Sequence, residues 1–359
     1  MQQNYRDRFD ANIAGQFSKA VQIMMRYPKH IGFFTKALAH QYRAAQLRKS
    51  QVAEGIEVPA LLIISITRKC NLNCAGCYSK ILHTKDDHEI EPDRFRAILE
   101  EAVALGVSII MLAGGEPLVR RDLLEVAADY PQVLFPVFTN GLLMDDAWVA
   151  FFARNPHLIP VVSLEGGKSE TDQRRGDGVF SNFQDIITKL NQSKIFWGVS
   201  LTLTSQNMDL ILSPAYAKDM LAQGSRLFFF VEYVPISEGS DDLILSDTQK
   251  DSVQSRVDEL QKDLPGLFIA FPGDEDQYGG CLASGRGFLH VNPNGFVEPC
   301  PFAPYSDTNL RYASLKEALK SDFLAKIREN HHLLKESRGG CALWANKQWV
   351  EEIKNQSGS

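Results

Sequence analysis

The sequence predicts an α/β protein built on a partial (β/α)6 TIM-like barrel. Between Val58 and about Pro235, short apolar runs alternate six times with amphipathic helical stretches. Continuous apolar strands separated by helices indicate a parallel sheet that is covered on both faces. Six such units form most of an eight-unit barrel, and in a barrel the chemistry lies at the carboxyl ends of the strands.

The predicted elements of the barrel follow one another without internal repeats beyond the βα alternation. The strands are predicted at Leu61–Thr67, Val107–Ala113, Val133–Thr139, Ile159–Leu164, Phe196–Thr204 and Leu227–Val234. The helices between them are predicted at Asp93–Leu105, Asp122–Tyr130, Asp146–Arg154, Phe183–Leu190 and Ala215–Ala222. The barrel domain is therefore expected at residues 56–240.

Residues 1–55 form a predicted helical extension with a basic character. No Asp or Glu lies between Ala11 and Ala53, and apolar residues recur there at helical spacing, interrupted at Pro28. One interpretation is a basic amphipathic helix that touches an anionic membrane surface or partner through residues 11–53. The other is a helical pair packed on the barrel with its basic face in solvent.

Residues 241–359 are predicted to form a small C-terminal domain. A helix is expected near Thr248–Leu264, a β-hairpin at Phe288–Val297 with an Asn294–Gly295 turn, and a final helix around Ser314–Leu334.

Charge and composition exclude several classes of protein. A formal net charge of −6 argues against a protein that coats nucleic acid. No apolar stretch is long enough for a membrane span, and the N-terminus lacks the apolar segment of a secretory signal. We therefore expect a cytoplasmic protein, whose six cysteines are metal ligands or reduced thiols rather than disulfides.

Three cysteines, Cys70, Cys74 and Cys77, follow the first predicted strand within eight residues. Thiolates are the soft ligands that iron–sulfur clusters need, and three of them leave one iron of a [4Fe–4S] cluster open. The alternatives are a non-catalytic zinc site, which needs a distant fourth ligand, or a group of buried thiols.

The C-x3-C-x2-C spacing, in the form Cys70-Asn-Leu-Asn-Cys74-Ala-Gly-Cys77-Tyr78, resembles the radical SAM superfamily. It is most similar to members that carry a C-terminal SPASM or twitch-like auxiliary cluster domain. The resemblance covers about Val58 to Cys341. It implies a [4Fe–4S] cluster that binds S-adenosylmethionine (SAM), and it marks Tyr78 as a cofactor-binding residue.

Further motifs follow the later strands, where a barrel requires them. Gly114 and Gly115 let the backbone approach a ligand, and Glu116 adds a carboxylate for an ammonium group. By resemblance, Gly114–Pro117 is the GGEP motif that binds the amino group of SAM.

The resemblance assigns three more positions to the cofactor site. Ser163 is implied to help bind the ribose or the carboxylate of SAM, and Val234 to lie against adenine. Arg175, with Arg174 as the alternate, is implied to pair with the carboxylate, a task suited to guanidinium. Glu165 stands where the family usually has Asp, so its role is open. Thr139–Gly141 resembles an element that shapes the floor of the pocket, although an ordinary turn fits equally well.

Cys281, Cys300 and Cys341 form a second set of cysteines. The segment Gly287–Pro301 resembles the auxiliary-cluster segment of the SPASM and twitch families. A full SPASM domain has seven cysteines, so three favour a shortened domain with one auxiliary [4Fe–4S] cluster. Its fourth ligand stays open among Asp274, Glu275, Asp276, His290 and the substrate.

The implied reaction is the reductive cleavage of SAM to a 5′-deoxyadenosyl radical, which takes hydrogen from a substrate. The implied electron donor is a flavodoxin or ferredoxin. A peptide or protein is the first expected substrate, and a lipid or membrane-associated molecule is the alternative.

Overall fold

A computed structural model describes residues 2–24, 28–82, 88–271, 278–335 and 339–357. Its centre is one nine-stranded sheet in the order β7-β6-β5-β4-β3-β2-β1-β8-β9. All neighbouring strands are parallel except β8 and β9, which form an antiparallel hairpin. The strands are β1 (Leu61–Ser65), β2 (Ile109–Ala113), β3 (Phe135–Thr139), β4 (Leu158–Leu164), β5 (Gly198–Leu203), β6 (Leu227–Glu232), β7 (Leu267–Phe271), β8 (Phe288–Val291) and β9 (Val297–Glu298).

Helices precede, connect and follow these strands. They are α1 (Gln2–Met24), α2 (Pro28–Ala53), α3 (Tyr78–Leu82), α4 (Pro92–Leu105), α5 (Arg121–Ala128), α6 (Asp146–Arg154), α7 (Lys168–Arg175), α8 (Val179–Gln192), α9 (Met208–Ile211), α10 (Pro214–Ala222), α11 (Asp247–Asp263), α12 (Leu315–Leu319), α13 (Asp322–Glu329), α14 (Ala342–Ala345) and α15 (Lys347–Ser357). Among the described residues, no helix has the length and apolar character needed to cross a membrane.

The partial barrel predicted from the sequence is confirmed, and all six predicted strands are present. Each strand is a run of apolar, often β-branched residues, as in Leu-Leu-Ile-Ile-Ser of β1, which suits a sheet covered on both faces. Side chains on the outer face pack against the helices in the main core. Side chains on the inner face form a second apolar cluster inside the barrel.

The structure differs from the sequence analysis at several elements. A seventh parallel strand, β7, was not predicted. The helix α7, which contains Arg174 and Arg175, was also not predicted. The final helix expected at Ser314–Leu334 is divided into α12 and α13, because Ser321 caps a new helix with a hydrogen bond from the Leu324 N–H.

The predicted hairpin is confirmed, and it extends the barrel sheet. Residues Leu61–Ile64 of β1 pair in parallel with Phe288–Val291 of β8. Strands from the C-terminal third of the chain thus lie on both sides of the six predicted strands, as β7 and as β8–β9.

The N-terminal helices α1 and α2 pack on the barrel, as one of the two interpretations expected. The Arg48 guanidinium is buried and donates to the Gly106 carbonyl at 2.6 Å, while Phe34 enters the inner cluster of the barrel. Gly106 has φ +97°, and a Cβ there would lie 2.6 Å from the Ala44 carbonyl oxygen of α2. The basic side chains are therefore partly used to dock this pair.

Candidate active site

The first cysteine loop lies at the carboxyl end of β1. Cys70, Cys74 and Cys77 are half-buried, are not joined in disulfides and line the large cavity inside the barrel. The Ala75 N–H donates to the Arg174 carbonyl at 2.9 Å, which ties this loop to the end of α7. Burial raises the pKa of the Cys70 and Cys74 thiols, and the positive charges of Arg175 and Arg174 oppose this rise at Cys74.

Gly114 and Gly115 lie directly beneath the cysteine loop. The Gly115 N–H donates to the Thr67 carbonyl at 2.6 Å, and the Glu116 N–H donates to the Lys69 carbonyl at 2.8 Å. A Cβ at Gly114 would lie 2.3 Å from the Thr67 oxygen, and one at Gly115 would lie 2.3 Å from the Lys69 oxygen. Only glycine permits this contact, so the two glycines set the position of the loop.

The Glu116 carboxylate is buried and holds the end of β3. It accepts hydrogen bonds from the Thr139 hydroxyl at 2.6 Å, the Asn140 N–H at 2.7 Å and the Leu118 N–H at 3.0 Å. Burial raises the pKa of Glu116, and these hydrogen bonds oppose the rise. Neither Glu116 nor Pro117, which begins a short 3-10 turn, is among the residues that line the cavity. The structure thus shows that the Glu116 carboxylate positions the end of β3.

The segment Thr139–Gly141 completes this wall. The Asn140 side-chain amide donates to the Asn71 side chain at 2.8 Å, and its nitrogen lies 3.9 Å from the Cys70 sulfur. The segment therefore contacts the cysteine loop, which an ordinary turn would not require.

Glu165 at the end of β4 binds both arginines of α7. Its Oε1 accepts from Arg174 Nη1 at 2.6 Å and from Arg175 Nε at 2.8 Å. Arg174 also donates to the Thr202 hydroxyl at 2.7 Å. Both guanidinium groups and Ser163 line the cavity. The replacement of the usual Asp by Glu thus keeps a carboxylate that positions two cations at the site.

The aromatic and apolar side chains at the site include one that sequence reasoning missed. Tyr78 and Val234 line the cavity, and Tyr78 packs against Phe302 with ring centroids 4.9 Å apart. Tyr233 also lines the cavity, is 3% exposed, and its hydroxyl has no hydrogen-bond partner among the described residues. A Cβ at Gly76 would lie 2.7 Å from that hydroxyl. In the sequence, the position of Tyr233 directly before Val234 was the signal that could have identified it as a site residue.

The second cysteine set lines the same cavity. Cys281, Cys300 and Cys341 are buried there, on three separate segments. A hydrogen bond between Cys341 and Cys300 raises the pKa of Cys300 and lowers that of Cys341. The Cys341 sulfur also accepts from the Trp344 N–H at 3.4 Å at the start of α14.

Among the candidate fourth ligands, His290 has both ring nitrogens in contact with other side chains. Its ring nitrogens contact the Ser65 hydroxyl at 2.9 Å and the Glu298 carboxylate at 2.7 Å. The structure thus uses His290 to join β8, β1 and β9. Asp274, Glu275 and Asp276 lie outside the described residues. No three His, Cys, Asp or Glu side chains in the described part converge on one position for a single metal ion such as zinc.

The two sets suit iron–sulfur clusters by the chemistry of their donors. Each set presents three thiols that are free of disulfides to one cavity, and thiolates are the ligands that iron–sulfur clusters take. The first set also lies above a backbone cradle that a Cβ would fill and beside two guanidinium groups.

Comparison with known proteins agrees with this arrangement. The AdoMet-dependent heme synthase of Methanosarcina barkeri is 26% identical over 81% of this chain and 89% of its own length. The PqqA peptide cyclase of Granulibacter bethesdensis is 25% identical over 73% of this chain and 72% of its own. The crystal structure of Streptococcus suis SuiB bound to precursor peptide SuiA has a TM-score of 0.63 and 19% identity, with 89% of this chain and 79% of that chain covered, and so shares the fold.

Residues 64–212 match the family model described as the radical SAM superfamily. The match spans the first cysteine loop, the Gly114–Gly115 cradle and the arginines of α7. The chain is therefore an enzyme that contains a radical SAM domain over residues 64–212.

Proposed function

We propose that this protein binds SAM beside a [4Fe–4S] cluster held by Cys70, Cys74 and Cys77, and cleaves it reductively. The observation that carries the proposal is that three thiols, a glycine cradle and two paired arginines line one cavity. Cys70, Cys74 and Cys77 would hold this cluster, which, when reduced, would supply the electron for the cleavage of SAM to methionine and a 5′-deoxyadenosyl radical.

The chain's own residues position SAM and exclude water. The carbonyl groups of the Gly114–Gly115 backbone would accept from the ammonium group of SAM, and Arg175 or Arg174 would bind its carboxylate. Ser163 and Val234 would contact the ribose or carboxylate and the adenine. Glu116 and Glu165 position the groups that would contact SAM. Glu116 accepts a hydrogen bond from the Asn140 N–H, and Glu165 accepts one from Arg174.

Cys281, Cys300 and Cys341 are proposed to hold one auxiliary [4Fe–4S] cluster. Their burial, and the cavity they share with the first set, support this assignment. A cluster there would face the substrate, to hold it or to accept its electron. A flavodoxin or ferredoxin is the proposed donor to the first cluster.

Two substrate classes follow from different observations. The names of relatives such as the PqqA peptide cyclase and the mycofactocin maturase favour a peptide. Other relatives include a heme synthase and a GTP 3′,8-cyclase, so the relatives span several substrate classes. The apolar walls of the barrel in this chain favour the alternative, a lipid.

The test is anaerobic reconstitution followed by addition of SAM and dithionite. We expect wild type to form 5′-deoxyadenosine and to hold about eight irons per chain, two cubane clusters. A Cys70/Cys74/Cys77→Ala variant is expected to hold about four and to form none.

A Cys281/Cys300/Cys341→Ala variant is the matched control. It should also hold about four irons, but retain SAM cleavage. Zinc in wild type after reconstitution, or equal cleavage by both triple variants, would contradict the proposal.

A further inference from the structure

The cavity that contains the cysteine site continues through the whole length of the barrel. It has a volume of about 630 Å³, within the range of sites that enclose a small ligand. Alternate residues Ile109, Met111 and Ala113 of β2 line it and lead upward to Gly114. Along β6 and just beyond it, the cavity is lined in the same alternating way by Leu227, Phe229, Val231 and Tyr233. At about 3.3 Å per residue, such a strand spans roughly 20 Å.

The part of this cavity away from the cysteines, here called the lower lumen, has apolar strand walls. Its lining from the amino ends of the strands is Leu61, Ile109, Leu134, Ile159, Phe196, Leu227, Leu267 and Phe288. Phe17 and Ala20 of α1 and Phe34 of α2 close its base. In contrast, Ser163, Ser200, Thr202 and the arginines line the end near the cysteines.

These walls are matched to a hydrocarbon chain and mismatched to a peptide. A peptide backbone would bring N–H and C=O groups that the apolar strand walls cannot pair, and each unpaired buried group is costly. Methylene groups carry no such requirement, and every one removed from water favours binding.

One side of the lower lumen is polar, and α1 and α11 form it. Strand β7 is an edge of the sheet, and β9 pairs only with His290 and Val291 of β8. The seam between β7 and the lower half of β8 is covered by α1. Phe9 packs beside Phe288, while Lys19 of α1 donates to the Gln261 carbonyl next to β7. The cavity lining at this seam contains the polar side chains Asn12, Gln16, Gln254, Asp258 and Gln261.

We propose that the lower lumen binds the hydrocarbon chain of a lipid, acyl or prenyl, with its polar head at this seam, beside the polar side chains of α1 and α11. The lipid is then the substrate whose hydrogen is taken at the upper end of the lumen. This inference rests on the proposed function, because it names the substrate class of the same site.

The test measures lipid binding by the reconstituted enzyme with SAM, using octanoyl, dodecanoyl and hexadecanoyl glycerol. We expect affinity to rise with chain length and then level off as the lumen fills. Geranylgeranyl glycerol is the parallel probe, and the tighter of the two long-chain probes identifies an acyl or a prenyl source.

Ala20→Trp, which places an indole in the lower lumen, should weaken hexadecanoyl glycerol binding at least about tenfold through the loss of methylene contacts. Ala14→Trp is the matched control, because Ala14 is an exposed residue on the same helix. It should bind like wild type.

Both variants should still form 5′-deoxyadenosine without added lipid, which separates this inference from the proposed function. Binding that does not depend on chain length, or that is equal in the two variants, would overturn the lipid assignment. So would tight binding of a peptide whose affinity falls in Ala20→Trp while none of the glycerol lipids binds.

Discussion

At the scale of single residues, the site depends on Gly114 and Gly115, two positions that have no side chain. Gly115 donates its N–H to the Thr67 carbonyl, and it leaves no room for a Cβ beside the Lys69 carbonyl. The cysteine loop therefore packs directly against the backbone of the two glycines. This contact also explains why a motif of two glycines occurs some forty residues from the cysteines that it supports.

Gly115→Ala should weaken SAM binding by about tenfold or more, because the new methyl group would force the Lys69 carbonyl and the cysteine loop to move. Calorimetric titration of SAM into reconstituted enzyme measures this.

Gly15→Ala is its control, since a Cβ at Gly15 of α1 meets nothing within 4 Å. Unchanged SAM affinity in Gly115→Ala at full iron content would show that the loop does not depend on the cradle.

At the scale of elements, α7 is held to β4 and β5 by buried charge. Glu165 is 2% exposed at its side chain, and its two partners Arg174 and Arg175 are 19% and 12% exposed. The Glu165 carboxylate holds both guanidinium groups. The position of α7 and the geometry of the proposed SAM site therefore depend on the same contact. Sequence periodicity did not predict α7, since its residues are almost all polar and show no apolar face.

Glu165→Gln should lower the free energy of unfolding by about 2 kcal/mol. This is less than the ~3–5 kcal/mol of a fully buried pair, because the arginines keep some contact with water. It should also weaken SAM binding, while Glu165→Asp should restore part of both properties. Denaturant unfolding and SAM titration measure these effects.

Glu54→Gln is the matched control, because Glu54 pairs with Lys316 at the surface, where both side chains are about half exposed. Its effect on stability should stay within about 0.5 kcal/mol. If Glu165→Gln were equally mild, the arginines would be held by something other than Glu165.

At the scale of the whole molecule, residues outside the family match complete the barrel. Phe34 of α2 belongs to the inner apolar cluster with Phe196, and their ring centroids are 5.1 Å apart. Strands β7 and β8 extend the sheet on its two sides, and α1 spans the seam between them. The N-terminal helical pair is thus an integral part of the fold.

Phe34→Ala should destabilise the protein by about 3–5 kcal/mol, the usual cost of removing a buried aromatic ring. Tyr42→Ala on the same helix should cost less than about 0.5 kcal/mol, because Tyr42 is 71% exposed. Thermal unfolding of both variants checks this. Similar melting temperatures would mean that α2 is not required to close the barrel.

The sequence by itself determined the six βα units and the order of the motifs along them. It could do so because burial on both faces imposes continuous apolar strands, and because cysteines and paired glycines have few other uses at strand ends. The same logic predicted the hairpin, whose Asn294–Gly295 turn is local.

Only the tertiary structure decided which groups meet. Glu116 contacts the end of β3, and His290 contacts Ser65 and Glu298. Glu165 binds both arginines of α7, and Tyr233 lies against Gly76. The tertiary structure also placed α1 across the seam between β7 and β8. These contacts join segments far apart in the chain, and their geometry depends on packing that no local pattern of residues records.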